Sequence, residues 1–239
     1  MGSDFSEALN FLPSLQGYGS LLLLGLWRTV FIAMFSFGFG LVIGLSLAII
    51  SISSGRGLQF AIGTFTTLAR ALPELILILL LYYAFSDAIS WGLAQLGFGH
   101  VGLDGIQTAI IVLALVSGAY STEVFRAAIA GVPKGMVEAG ESVGMGKLTC
   151  FRRIIFPVML PMALPGLSNV WLMVVKGTSL VSIVGVTELA LAAQQGASAT
   201  KAYFTVYFAA LILYLILALL SLRLLHHLEL YLRRGQVAV

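Results

Sequence analysis

The chain has 239 residues, of which 59% are hydrophobic and only 10% are charged, and its mean hydropathy is +1.03. A soluble domain carries roughly 25% charged residues, so this chain has too few charges to cover a water-exposed surface. The composition excludes a soluble globular enzyme and predicts an all-α integral membrane protein. The one cysteine, Cys150, excludes an internal disulfide, and the three histidines lack the spacing of metal ligands, so we expect no metal site.

Five apolar runs are long enough to cross a hydrocarbon core of ~30 Å, which takes about 20 helical residues. These runs cover about residues 21–52, 60–85, 106–129, 164–191 and 203–225. They predict five transmembrane helices in a single domain over residues 1–239, with no room for a soluble enzyme domain. The first run exceeds one crossing, so it must tilt or extend beyond the lipid.

Lysine and arginine near the ends of the predicted spans collect on one side of the membrane. The basic residues of that side are Arg56, Lys134, Lys147, Arg152, Arg153, Arg233 and Arg234, against Lys201 in the loops of the other side. The positive-inside rule therefore places the C-terminus and the loop at 133–161 in the cytoplasm, and the N-terminus on the other side of the membrane. This topology accounts for the net charge of +3, which gives no support for a nucleic-acid partner.

The second run contains a proline followed by an acid, Pro73 and Glu74. Proline removes a backbone donor and disfavours helical geometry at Leu72, so we expect the span to break or kink there. A break exposes a polar pocket in which Glu74 could bind a cationic substrate. Alternatively, Glu74 only compensates the dipole at a helix start, or is neutralised by Arg70.

The third run carries Glu123 and Arg126, which are three residues apart and therefore share a helix face. An ion pair within the helix, near the cytoplasmic interface, is the favoured interpretation of these two residues. Tyr120, one turn earlier, is the better candidate for a substrate-binding residue of the pathway.

The fourth run is interrupted by polar residues from Lys176 to Ser179. Polar residues at membrane depth are tolerated where they line protein or a water cavity. Lys176 could therefore pair with a substrate carboxylate, with Ser179 beside it, or could pack at a subunit interface. Glu188 is expected near the outer surface, as an interfacial residue.

The loop at 133–161 is a charged, glycine-containing segment in an otherwise apolar chain. Pro133 suits a helix start, Gly144 permits a turn closed to other residues, and Pro157 is expected to stop a second helix. The sequence thus predicts short helices at 134–143 and 147–155 that meet at an elbow. A solvated connection is the alternative, although helix connections usually have about 2–8 residues.

The loop contains Glu138-Ala139-Gly140, Gly144 and Ile154-Ile155-Phe156-Pro157. At this spacing these residues resemble the EAA loop of ABC importer permeases. Gly140 stands where the family has a second alanine, and Phe156 stands where it has leucine. Flanking segments, including Thr178-Ser179-Leu180-Val181-Ser182, resemble the polar amino acid permeases.

The resemblance implies the transmembrane subunit of an ATP-driven amino acid importer, with a coupling helix between the third and fourth spans. The residues implied to contact a cytoplasmic ATPase dimer are Glu138, Ala139, Gly140, Gly144, Arg152 and Pro157. An acid after Pro73 is similar to permeases for basic substrates, which implies arginine, histidine, lysine, ornithine or an opine. An extracytoplasmic solute-binding protein and a second permease subunit, identical or homologous, are the other implied partners.

A phosphate-binding loop G-x-x-x-x-G-K-[ST] is absent from the sequence, because Gly146-Lys147 is followed by Leu148. The chain is therefore expected to be non-catalytic and to bind no cofactor, with ATP and Mg held by the partner ATPase. An ion-coupled secondary transporter or channel subunit, using Glu74 and Lys176, is the alternative. That alternative leaves the elbow at 133–161 unexplained.

Overall fold

The computed structural model describes residues 18–95 and 104–233, and every regular element within these ranges is helical. The α-helices there are α1 (Gly19–Ser53), α2 (Arg56–Ala71), α3 (Glu74–Gln95), α4 (Gly105–Ala130), α5 (Lys134–Ser142), α6 (Lys147–Cys150), α7 (Phe156–Val181), α8 (Leu189–Thr200) and α9 (Tyr203–Arg233). The predicted all-α class is confirmed. The N-terminal residues before Tyr18 and the basic residue Arg234 lie outside the described residues.

Four helical segments of the described chain are long and apolar enough to cross a membrane: Gly19–Ser53, Gly105–Ala130, Lys147–Val184 and Tyr203–Leu232. A fifth candidate is the sharply bent pair Arg56–Ala71 and Glu74–Phe85, if the pair forms one span. The structure therefore provides four to five candidate crossings where the sequence predicts five.

The break predicted in the second run occurs at Leu72 and Pro73. Leu72 ends α2 with extended backbone angles, φ −79° and ψ 146°, and α3 begins at Glu74. Extended geometry is what a residue before proline prefers, because the proline ring clashes with helical geometry there. The chain thus places Glu74 in the first turn of α3, as the sequence predicts.

The prediction that Pro157 stops a helix is wrong. A π-helical turn at Phe151–Ile155 joins α6 to α7, and α7 continues past Pro157 with Pro161 and Pro165 inside it. In the π-turn the Phe156 N–H bonds to the carbonyl of Phe151, one residue further back than in an α-helix. This π-turn lies directly before Pro157. The helix thus changes its hydrogen-bond pattern at the position where proline has no backbone N–H to donate.

The fourth predicted run also ends earlier than expected. The helix ends at Val181, a 3-10 turn covers Ser182–Val184, and Gly185 has the left-handed angle φ 86°. Gly185 permits this conformation because it has no side chain to clash with the following carbonyl. The residues after it form the separate helix α8 instead of the last turns of a span.

The described chain divides into two compact units. The first unit holds the described residues up to Ser36 with those of 75–113 and 174–219, and the second holds 37–74, 114–173 and the described residues after 219. In the first unit the small residues of α8 pack against Leu22 of α1 and Val206 of α9, with Ala192, Ala193 and Ala197 all fully buried. A second cluster of that unit surrounds Ile32, Ile78 and Val181.

The second unit is built on close packing between α1 and α4. Gly40 and Gly44 of α1 face Ser117 and Ser121 of α4, and a Cβ atom added at Gly44 would lie 2.5 Å from the Ser121 Cβ. Small residues four positions apart let helix backbones approach closely, which is how helices associate in membranes without a hydrophobic driving force. The core of this unit continues around Phe125, Met159 and Ala163.

Candidate functional site

The elbow of the loop at 133–161 has the geometry that the sequence predicts at its turn. α5 begins after Pro133 and ends at Ser142 with Val143 as its C-cap, and Gly144 has the left-handed angle φ 80°. The N–H of Gly144 donates to the Glu141 carbonyl at 2.9 Å, and the N–H of Met145 donates to the Gly140 carbonyl at 3.1 Å. These bonds close the end of α5 in the manner of a glycine C-cap, so the turn depends on residue 144.

Gly140 explains one departure from the family motif. It is buried, and a Cβ atom there would lie 2.5 Å from the Cδ1 of Ile154 and 3.5 Å from the Sγ of Cys150. The absence of a side chain therefore lets α5 lie directly against the π-turn of the second arm. Glu138 and Ala139, the other residues of the motif, are exposed.

The surface of the elbow combines large apolar side chains with arginines. Val143 is 73% exposed and Leu148 is 80% exposed. Arg152 and Arg153, also exposed, line a shallow depression with Leu148 and Thr149. Exposed apolar side chains rimmed by charge are typical of a protein-binding surface and not of a free loop.

A cavity of about 650 Å³ lies beside the elbow, within the same unit. It has charges of both signs, from Glu123, Arg126, Lys134 and Glu138, on walls that include Ile52 and Ile155. The elbow is therefore not an isolated loop, since α5 shares this cavity with the C-terminal ends of α1 and α4.

Glu123 and Arg126 form the predicted ion pair, with 3.1 Å between Arg126 Nη1 and Glu123 Oε1. The same carboxylate oxygen accepts a hydrogen bond from the Thr66 hydroxyl at 2.8 Å. The Arg70 guanidinium also lies 5.9 Å from the centre of the Tyr120 ring. These two contacts between α2 and α4 were not predicted from the sequence.

The four predicted substrate-binding residues fall into the two units. Half-buried Glu74 and Tyr120 belong to the second unit, and Lys176 and Ser179 belong to the first. Lys176 is exposed, and the Ser179 hydroxyl donates to the Lys176 carbonyl at 2.7 Å. The assignment of these residues to a substrate site stays a prediction.

Glu188, expected as an interfacial residue near the outer surface, has a structural role that sequence reasoning did not predict. It is completely buried, and its carboxylate caps α8 by accepting from the N–H groups of Ala190 and Leu191 at 2.7 and 3.1 Å. It also accepts hydrogen bonds from Thr29 and Tyr214. The sequence contained one indirect signal. Thr29 and Tyr214 are polar residues within apolar runs, where a polar side chain needs a hydrogen-bond partner.

These features define a class: an all-helical membrane protein of several apolar helices, with an exposed elbow of charged and apolar residues between two of them. The chain belongs to the family described as the binding-protein-dependent transport system inner membrane component, whose model matches residues 40–234. It is therefore a multi-pass membrane transport protein. A family that depends on a binding protein favours the importer over the ion-coupled transporter or channel.

Known relatives cover nearly the whole chain. The octopine transport system permease protein OccQ of Rhizobium radiobacter is 40% identical over 221 residues, which are 91% of this chain and 92% of that relative. The histidine/lysine/arginine/ornithine transport system permease protein HisQ of Escherichia coli is 36% identical over 227 residues, 94% of this chain and 97% of HisQ.

The fold is also similar to that of a solved transporter. A crystal structure of an amino acid ABC transporter with histidines matches with a TM-score of 0.76 and 28% sequence identity. The match covers 92% of this chain and 97% of the other.

Proposed function

We propose that this chain is the permease subunit of an ATP-driven importer of basic amino acids or of the opines derived from them. The observation that carries the proposal is the exposed elbow, in which Gly144 joins two helical arms beneath an apolar and basic surface. In an ATP-driven importer a soluble ATPase must move membrane helices, and an elbow that contacts the ATPase can transmit this movement. The names of OccQ and HisQ support amino acids and opines as the cargo.

The proposed division of labour places ATP hydrolysis on partner chains. A cytoplasmic ATPase dimer binds ATP and Mg and receives the elbow through Glu138, Ala139, Gly144, Arg152 and Pro157, while the buried Gly140 takes part in coupling by holding the two arms of the elbow together. A second permease subunit, identical or homologous, completes the path through the membrane. An extracytoplasmic solute-binding protein delivers the substrate, and this chain adds no catalytic group.

The proposed orientation follows from the basic residues of the elbow. Lys147, Arg152 and Arg153 lie on its exposed surface and favour the cytoplasmic side. The N-terminus is then outside and the C-terminus inside. Closure of the ATPases moves the elbow, and α7, which continues from the same helical segment, carries that movement into the membrane.

The proposed cargo contacts are Glu74 with the cationic side chain, and Lys176 with the carboxylate, with Tyr120 and Ser179 as further wall residues. The position of Glu74 in the first turn of α3, directly after the break at Pro73, supports this assignment. A broken span frees backbone groups and opens space at membrane depth, where charged side chains are costly and usually functional.

The proposal is tested by reconstituting the chain with its ATPase, second permease subunit and binding protein in proteoliposomes. We expect ATP-dependent uptake of radiolabelled arginine or octopine, with competition by other basic amino acids and no competition by glutamate. Uptake that follows a proton or sodium gradient without ATP would contradict the proposed function. Preferential ATP-dependent uptake of glutamate would contradict the proposed substrate class but not the proposed importer function.

A further inference from the structure

The carboxylate of Glu123 joins two helices of the second unit. Its Oε1 accepts from the Thr66 hydroxyl of α2 at 2.8 Å and from Nη1 of Arg126, on its own helix α4, at 3.1 Å. The Thr66 hydroxyl also lies 3.1 Å from the Gly63 carbonyl oxygen within α2, but its contact with the carboxylate is shorter and has a charged acceptor. The ion pair therefore stays within α4, whereas the Thr66 hydrogen bond crosses from α2 to α4.

The face of α2 that packs on the rest of the unit is narrow. The buried residues of α2 are Ile62, Thr66 and Ala69, which lie three to four positions apart on one side of the helix. Thr66 is the polar member of this face and lies at its centre. One turn further along α2, the contact between Arg70 and the Tyr120 ring described above also reaches α4. Two polar contacts thus fasten α2 to α4.

α4 forms one packed body with the elbow. The core cluster of this unit contains Phe125 of α4, Val132 of the link to α5 and Met159 of α7. Val137 of α5 and Ile155 of the π-turn pack against the same cluster. Closely packed cores move as units and do not deform continuously, so a displacement of the elbow is expected to carry α4 with it.

We propose that Glu123 is a positioning residue that makes α2 follow the elbow, so that movement of the ATPase reaches the break at Pro73 and the proposed cargo contact Glu74. This inference rests on the proposed function, since it takes the elbow as the place where the ATPase acts. The path runs from α5 through the core cluster to α4, and from Glu123 through Thr66 to α2. Because α2 ends at Ala71 and α3 begins at Glu74, the position of α2 sets the position of this carboxylate.

The test uses Thr66→Val in the reconstituted complex, because valine keeps the shape of threonine and lacks its hydroxyl group. The measured ratio is the amount of radiolabelled arginine taken up per ATP hydrolysed. We expect this ratio to fall about tenfold, the change that loss of one hydrogen bond to a charged group supports, while ATP hydrolysis persists. Thr67→Val is the matched control, since Thr67 is the exposed neighbour on the same helix. Its ratio should equal that of the unmodified complex.

A double-mutant cycle separates the link to Glu123 from the contact of Thr66 with Gly63 inside α2. Glu123→Ala removes the acceptor on α4 and should lower the ratio as well. If the hydroxyl acts through that carboxylate, adding Thr66→Val to Glu123→Ala lowers the ratio no further. Thr66→Ser restores a hydroxyl group at this position and should recover most of the ratio that Thr66→Val loses.

Three results would overturn the positioning role of Glu123. The first is an equal ratio for Thr66→Val and Thr67→Val, even with a lower melting temperature of the former. The second is additive effects of Thr66→Val and Glu123→Ala. The third is a parallel loss of uptake and ATP hydrolysis, which indicates a complex that only folds or assembles less well. Failure of the unmodified complex to couple uptake to ATP would instead refute the proposed function.

Discussion

Gly144→Val is expected to reduce ATP-dependent uptake strongly while the membrane helices still fold. Gly144 has φ 80°, a conformation that costs a residue with a Cβ atom about 1–3 kcal/mol, and most when the side chain is β-branched. The turn that ends α5 would open, and its two closing bonds, to Glu141 and Gly140, would be lost. We expect uptake to fall by about 10- to 100-fold, the ratio that this range of energy supports.

The elbow provides its own control two residues further on. Gly146 has φ −66° and ψ 156°, angles open to any residue, and a Cβ atom there would meet nothing within 4 Å. Gly146→Val should therefore retain uptake and the ATP hydrolysis that the loaded binding protein stimulates. Equal activity of the two variants would show that the left-handed turn at Gly144 has no part in coupling.

Glu74→Gln is expected to raise the KM for arginine by about 10-fold or more, because it removes the charge proposed to pair with the cationic side chain. If Glu74 only compensates the dipole of α3, the change costs about 0.3–1 kcal/mol of stability and leaves the KM unaltered. The measurement is the KM for uptake of arginine together with the melting temperature of the purified complex.

Glu74→Asp is the matched control, since it keeps both the negative charge and the acid in the first turn of α3. It should retain much of the affinity that Glu74→Gln loses. A KM for arginine that stays constant through both variants would exclude Glu74 from the substrate site, whatever happens to the melting temperature.

Local rules predicted the parts of the structure that depend on neighbouring residues. The turn at Gly144, the start of α5 after Pro133, and the break at Leu72 and Pro73 follow from backbone sterics within a few residues. The ion pair of Glu123 and Arg126 follows from the spacing of one helix turn. These features were therefore readable before the fold was known.

The wrong predictions involved bonds that local rules do not contain. Pro157 was expected to stop a helix, but the π-turn at Phe151–Ile155 accommodates it. The burial of Glu188 was not predicted, because its partners Thr29 and Tyr214 are 159 and 26 residues away in the sequence. Burial of a polar residue depends on such distant partners, which the pattern around position 188 does not reveal.

The residues of the candidate site also differ in whether they depend on local or on distant contacts. The exposed elbow was predicted from its charge, its glycine and its prolines, and the structure describes its surface directly. The cargo contacts proposed for Glu74, Tyr120, Lys176 and Ser179 depend on how helices and a second subunit surround the path. They stay predictions, and the two Glu74 variants test the first of them.

The central claim is that the elbow of this chain sits on a cytoplasmic ATPase, and photo-crosslinking tests it most directly. A photoreactive amino acid at Leu148, which is 80% exposed on the elbow, should form an adduct with the ATP-hydrolysing subunit in intact cells. The same amino acid at Trp27, 67% exposed on α1 and proposed to lie near the outer side, should form no such adduct. An ATPase adduct from position 27, or none from position 148, would contradict the account.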